Sequence, residues 1–343
     1  LRIREDSLGR LWIATWSEGL TRFNPVDQSF EVFKHDPEDP GSISDNSLQD
    51  IFIDRHDNLW VSSASTLLDV LRSGSTTFEH IVPKPGQEDW LQSDYILVFA
   101  EDKDGFLWLG TWGAGLIKLN PVTMQFETFS EPSFNGVKME SFSFLSIFVD
   151  SKGQLWMGAE NEGLITFDPE SQSLKQFKSS VNNPYSLPNN DVMAIHEDTQ
   201  GYLWIATYGG GLSKFNPSTK TFQNFGKAQG LLNESIYAIF EDENGFLWMS
   251  TNNGLARFDM DQESFHNYGL ADGIMSKEFN PAACMDHTGL IYFGGIEGIT
   301  WFDPTQIEEN QTIPPIQFTD LSIMNTPIEV NELYHGRFVL QES

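Results

Sequence analysis

Asp104–Pro121 reads DGFLWLGTWGAGLIKLNP, and most of the chain is written in approximate copies of it. Its centre is Leu107-Trp108. The equivalent tryptophan recurs at Trp12, Trp60, Trp156, Trp204 and Trp248, and Tyr292 takes the same place in the last copy. Successive intervals are 48, 48, 48, 48, 44 and 44 residues, so seven units account for most of the 343 residues. A fixed period of this size marks a repeat architecture, in which each unit buries its apolar face against the next.

Six residues before each ring stands an aspartate: Asp6, Asp54, Asp102, Asp150, Asp198, Asp242 and Asp286. Three before it comes Gly9, Gly105, Gly153, Gly201, Gly245 or Gly289, with Asp57 in the second unit. An aspartate followed by glycine between two apolar runs is hairpin chemistry: the carboxylate accepts turn N–H groups and glycine takes the positive φ. These aspartates therefore read as structural. Ahead of each turn lies an apolar run (LQDIFID, YILVFAED, VMAIHED) that predicts an innermost strand buried on both faces. After it, LWIAT, LWLGT and LWMGA predict a second strand, with a small residue two places after the tryptophan so that adjacent sheets can approach.

A Gly-Leu pair opens a third strand (GLTRFNP, GLIKLNP, GLSKFNP), and a fourth alternates with period two (FEVF, FETF, FQNF). Four antiparallel strands per unit, seven times over, predict an all-β fold: a seven-bladed β-propeller over residues 1–304. The second unit, STLLDVLRSG, lacks the Gly-Leu pair, so its turn between strands two and three is expected to be altered and its blade the least regular. Residues 305–343, with PPIQFTDLSIMNTPIEV, match no unit and read as a linker and the truncated start of a β-sandwich domain. One or two strands cannot bury a face alone.

Acidic residues outnumber basic ones 49 to 20, for a formal charge of −29, which argues against nucleic acid and anionic membrane surfaces as partners. Hydrophobic residues make up 39% of the chain and aromatics 13%, enough for an extensive core. The one cysteine, Cys284, lies in an apolar run (AACM) and reads as a buried thiol. No run of 18 apolar residues occurs, LRIRED is not a signal peptide, and it lacks the lead-in of the other units. The sequence thus reads as a piece of something longer.

The unit D-x-x-G-x-L-W-I-x-T-x-x-G-G-L-x-x-F-N/D-P, with connectors such as DPGSISDN and NPYSLPNN, resembles the two-component regulator propeller repeat. The tail is similar to the start of the triple-tyrosine domain that follows such propellers. The resemblance implies the periplasmic, extracytoplasmic sensor region of an inner-membrane signalling protein, homodimeric at full length. Its output domain would be a hybrid histidine kinase or, in some relatives, a diguanylate cyclase. Relatives from gut bacteria sense oligosaccharides, so a small-molecule ligand of that kind is the partner implied.

Seven histidines (His35, His56, His80, His196, His266, His287, His335) are scattered without metal-ligand spacing, so no metal is expected. No phosphate-binding loop, dinucleotide fingerprint or nucleophile motif occurs, so neither a cofactor nor a catalytic residue is expected. Carboxylate pairs such as Glu197-Asp198 and Glu241-Asp242 recur at turns, whereas acid–base catalysis needs two unequal environments. A propeller lyase or hydrolase stands as the competing enzyme reading.

For ligand binding, the turn between strands two and three carries Trp16, Trp112 and Tyr208, with Glu160 and Asn252 at matching places. Rings beside amides and carboxylates suit sugar faces, and they equally suit a dimerisation scaffold with no ligand. The connectors add Trp90 and Tyr185. At the starts of inner strands stand Asn46, Asp94, Asn190, Glu234 and Glu278, either a polar rim at a channel mouth or simple caps.

Overall fold

The computed structural model describes residues 2–64, 68–81, 95–131, 133–134 and 137–307, and four short strands within 322–338. It is all β apart from the single-turn 3₁₀ segments Met139–Ser141, Lys227–Gln229, Leu270–Asp272 and Pro304–Gln306. Residues Leu1–Thr305 form one compact unit, a seven-bladed propeller, and Gln306–Ser343 another. Each of blades 1 to 6 has four strands hydrogen-bonded in chain order, all antiparallel. The innermost strands are Arg2–Glu5, Leu48–Ile53, Ile96–Glu101, Phe144–Val149, Val192–Glu197, Ile236–Glu241 and Phe279–Met285.

Apolar side chains fill the spaces between successive blades. Trp12, Ala14 and Leu20 of blade 1 pack on Ile51, Leu59 and Val61 of blade 2. Trp204 of blade 5 packs in the same way on Met249 and Phe258 of blade 6. A buried tryptophan removes roughly 200 Å² from water, worth about 5 kcal/mol at about 25 cal/mol per Å². The repeating rings are therefore the main inter-blade contacts. Small residues two places on are needed there: a Cβ on Gly158 would lie 2.2 Å from the Val192 carbonyl oxygen of blade 5.

The aspartate six residues upstream does more than shape its turn. In blades 1 to 6 its Oδ2 accepts the indole Nε1–H of the same unit's tryptophan at 2.8 to 3.0 Å. In blade 7 the Tyr292 hydroxyl donates to Asp286 at 3.2 Å. Oδ1 meanwhile accepts turn amides, as Asp198 does from Gln200 at 3.0 Å and Tyr202 at 2.9 Å. One carboxylate thus satisfies a buried indole and ties the hairpin.

The ring closes by the contact of the last blade with the first. Ile3 and Leu11 share a core cluster with Ala282, Cys284 and Tyr292. Glu5 accepts the His287 amide at 2.7 Å and pairs with its Nδ1 at 2.6 Å, and that carboxylate holds the imidazole pKa above its ordinary value. Elsewhere the same staple joins neighbours: Glu101 accepts Arg55 N at 2.9 Å and Glu197 accepts Ser151 N at 2.6 Å. Between blades 1 and 2, Asp57 does the work, accepting Ser7 N at 2.9 Å from a left-handed conformation with φ 61°. The glutamate of each recurring Glu-Asp pair before the turns is an inter-blade tie.

Two features differ from the sequence expectation or qualify it. The fully buried strand is the second, as in Leu59–Ser63, Leu107–Thr111 and Leu203–Thr207. The innermost strand is only part buried, with Val192 the one fully covered residue of Val192–Glu197. The physical reason is that its free edge lines a central channel, whereas the second strand has sheet on both edges. Blade 2 has its four strands in regular order, and the turn expected to be altered falls at residues 65–67, outside the described residues.

Among the described residues blade 7 has three strands, and Trp301 on its outer strand is exposed. In the second unit, Ser322–Ile323 pairs with Thr326–Pro327 and Leu333–Tyr334 with Arg337–Phe338. The rest of the segment resembling a triple-tyrosine domain lies outside the described residues.

Candidate ligand-binding face and central channel

In blades 2, 3, 4, 5 and 7 the turn residue four places after the core ring is held by its backbone to the start of its own blade. Trp112 N donates to Tyr95 O at 3.0 Å, Glu160 N to Ser143 O at 2.9 Å and Tyr208 N to Asp191 O at 2.9 Å. This bond returns the turn to the strand-start end of the sheet, so these side chains share one face of the propeller. There Trp16 is 69% exposed, Trp112 57% and Tyr208 45%, whereas the core Trp60 is fully buried. Glu160 is exposed and Asn252 half-buried on the same face.

The structure brings some of the sequence-predicted residues together. Tyr208 lies 6.0 Å, ring to ring, from Tyr237, whose hydroxyl donates to Asn252 Oδ1 at 2.8 Å. Burial raises the Tyr237 pKa; the Asn252 bond opposes this, and Tyr208 and the Glu278 carboxylate add to it. Tyr208 and Asn252, from blades 5 and 6, therefore meet at Tyr237. On blade 3, Trp112 stacks on Tyr95 at 5.7 Å with a 29° interplanar angle. Trp16 and Glu160 stand apart on blades 1 and 4.

Other predicted residues have different work. Asn46 Oδ1 accepts His35 N at 2.9 Å and Asn190 Oδ1 accepts Ser179 N at 2.7 Å, each from the connector that precedes its strand. Their carbonyls accept Gly19 N at 3.0 Å and Gly163 N at 2.8 Å from the preceding blade. Glu234 repeats the pattern, taking Lys227 N at 3.4 Å and pairing with its Nζ at 3.3 Å. These side chains cap strands. Tyr185 O accepts Phe222 N at 3.0 Å, and its ring lines a lateral groove with Tyr202 and Lys214, away from the face. Trp90 and Asp94 lie outside the described residues.

Sequence reasoning did not single out Tyr237, although a signal existed. Its counterparts are Gln49, Leu97, Leu145, Met193 and Pro281, so a phenol there departs from the repeat. Tyr237 also lines the central channel, a cavity of about 380 Å³ walled by inner strands of several blades, including Val98, Ile147, Met193 and Ile239. Its charged lining residues are Arg2 and Arg4. Asp50, with a fully buried side chain, accepts Arg2 Nε at 3.1 Å and Phe99 N at 3.1 Å, tying blades 1, 2 and 3.

Cys284 lies in the channel wall, where burial pushes its thiol pKa up to about 11. Against a reference near 9, the thiolate fraction at pH 8 falls roughly a hundredfold. Native Cys284 is expected to alkylate with iodoacetamide about a hundred times more slowly than the denatured chain. A native rate within tenfold of the denatured one contradicts the burial. His196 Nε2 meets Glu241 at 2.9 Å, tying blades 5 and 6. Among the described residues no group of three His, Cys, Asp or Glu side chains could hold a metal ion.

Four-stranded blades and an Asp–Trp clamp in blades 1 to 6, an Asp–Tyr pair in blade 7 and a ring-bearing face define a propeller of a particular repeat type. The sequence profile of the Two component regulator propeller family matches residues 91–113, 186–209 and 230–253, in each case an inner strand, its turn and the strand after it. Those three stretches are similar to two-component regulator propeller repeats. No curated protein matches it.

One similar solved structure is described as the extracellular domain of a one component system from B. thetaiotaomicron: 20% identity, TM-score 0.55, covering 91% of this chain and 47% of that one. Another, described as the extracellular domain of a hybrid two component system from the same organism, has 19% identity and TM-score 0.52, covering 96% and 55%. The WD40 beta propeller domain of Doa1 has 10% identity and TM-score 0.63, covering 88% and 91%. At these identities the likeness is one of fold, and the chain spans about half the length of the two extracellular domains.

Proposed function

We propose that this propeller is the ligand-sensing module of a membrane-anchored two-component receptor, on the extracytoplasmic, periplasmic side. It binds a small oligosaccharide on the face bearing Trp16, Trp112 and Tyr208, and passes occupancy to a cytoplasmic output domain without catalysing a reaction itself. In the full-length receptor it works as a homodimer. The family match and the likeness to domains described as extracellular support the setting.

The observation that carries the binding reading is the Tyr208–Tyr237–Asn252 cluster. Exposed rings cost solubility on a chain otherwise rich in charge. Sugar C–H faces stack on such rings while hydroxyls pair with the amide and carboxylate groups around them.

Stacking contributes on the order of 1 kcal/mol per ring, so Tyr208→Ala and Trp112→Ala are each expected to weaken glycan binding about fivefold, with unchanged unfolding midpoints. Calorimetric titration of an oligosaccharide panel into wild type and both variants reads this directly. A pure dimer scaffold predicts a shift of the monomer–dimer balance in parallel sedimentation runs and no heat from any glycan. That pair of results ends the sensing reading.

A further inference from the structure

We infer that the central channel holds a second site, for the carboxylate of a small organic acid with an apolar body. The argument starts from what the repeat does not require. Arg2 and Arg4 stand ten and eight residues before Trp12, and the places matching Arg4 in the other units are Phe52, Ala100, Phe148, His196, Phe240 and Cys284. Six blades thus pack without an arginine there.

The arginine pair has one carboxylate opposite it. Asp50 is satisfied by Arg2 at 3.1 Å and by the amides of Ile51 at 2.9 Å and Phe99 at 3.1 Å. Arg4 donates to Ile3 O at 2.8 Å, but its other terminal nitrogen is 4.0 Å from Asp50, beyond hydrogen bonding. With 30% of its side chain exposed, Arg4 lines the cavity of about 380 Å³. Two guanidiniums against one carboxylate leave a positive charge on a wall otherwise made of groups such as Val98, Ile147 and Phe240. The other acids at that end are engaged: Glu5 with His287, Glu101 with Arg55, Glu197 with Ser151 and Glu241 with His196.

The acidic surface repels anions only over about 8 Å at physiological ionic strength, so it does not cancel a guanidinium held inside. A cavity of this size, lined by polar and apolar surface in about equal parts and carrying one guanidinium that Asp50 does not hydrogen-bond, can take a small molecule with a charged end and an apolar body. The site lies beyond the saccharide reading, since an apolar acid needs no hydroxyl partners.

The test titrates the full chain with 3-phenylpropionate and with its uncharged amide. Wild type is expected to bind the acid at least about tenfold more tightly, Arg4→Gln to lose that discrimination and Arg4→Lys to keep part of it. Met193→Trp, which fills the channel from blade 5 and keeps Arg4, is expected to abolish acid binding. Equal affinity for acid and amide in wild type overturns the proposal. So does a folded Arg4→Gln that still discriminates, or Met193→Trp that binds as wild type does.

Discussion

Asp198→Ala is expected to destabilise the propeller by about 3–4 kcal/mol, read as a lowered denaturant midpoint at unchanged slope. Asp198 is buried, and its carboxylate accepts the Trp204 indole at 2.9 Å, Gln200 N at 3.0 Å and Tyr202 N at 2.9 Å. Alanine removes all three bonds at once and strands an indole N–H on a ring that is 1% exposed, packed between blades 5 and 6. Bonds to a charged acceptor carry about 1.5–3 kcal/mol each, but a turn amide recovers most of its loss from water, so the total stays well below the sum. Gln200→Ala, beside it on the surface, is the control, with an expected change within about 0.5 kcal/mol. A loss of less than about 1 kcal/mol for Asp198→Ala would mean that the aspartate serves the turn alone.

Gly163→Ala is the second large effect, at about 2–3 kcal/mol by the same measurement. Gly163 opens the third strand of blade 4 at φ 76°, and an added Cβ would lie 2.3 Å from the Phe177 carbonyl oxygen. Its amide also donates to Asn190 O of the next blade at 2.8 Å, so relief of the clash strains an inter-blade bond. Gly211 and Gly254 repeat the conformation at φ 77° and 88° and are expected to respond alike. Gly74→Ala shares the positive φ at 77° but has nothing near its Cβ, which isolates the backbone cost at about 1 kcal/mol. Equal losses at Gly163 and Gly74 would remove the clash from the account.

These two residues show which parts of the molecule were legible in the sequence. The Gly-Leu pair and the Asp–x–x–Gly turn announce themselves because backbone conformations at positive φ restrict the residue type locally, whatever lies around them. The indole–carboxylate bond was present as a constant interval of six, and as Tyr292 replacing Trp in the last unit with another donor. Spacing alone does not show which way a side chain points, so the aspartates read as turn formers only. The innermost strand looked buried on both faces because a channel edge leaves no mark on composition.

For the candidate site, the ring positions Trp16, Trp112 and Tyr208 were readable from the repeat frame. That the polar strand starts Asn46, Asn190 and Glu234 are caps was not, since it depends on the preceding connector. Tyr237, Arg2, Arg4 and Asp50 escaped notice for a common reason. Each departs from its repeat position, and a search for what recurs passes over what does not.

The most direct test of the sensing face uses fluorine-labelled tryptophan in the full chain, since exposed and buried indoles report separately in one spectrum. On addition of an oligosaccharide that gives heat in titration, the resonances of Trp112 and Trp16 are expected to shift. Those of the buried Trp60, Trp204 and Trp248 are expected to stay in place, each signal assigned by single Trp→Phe replacement. Shifts confined to the buried rings, or shifts of Trp112 and Trp16 that follow protein concentration and ignore every glycan, contradict the account.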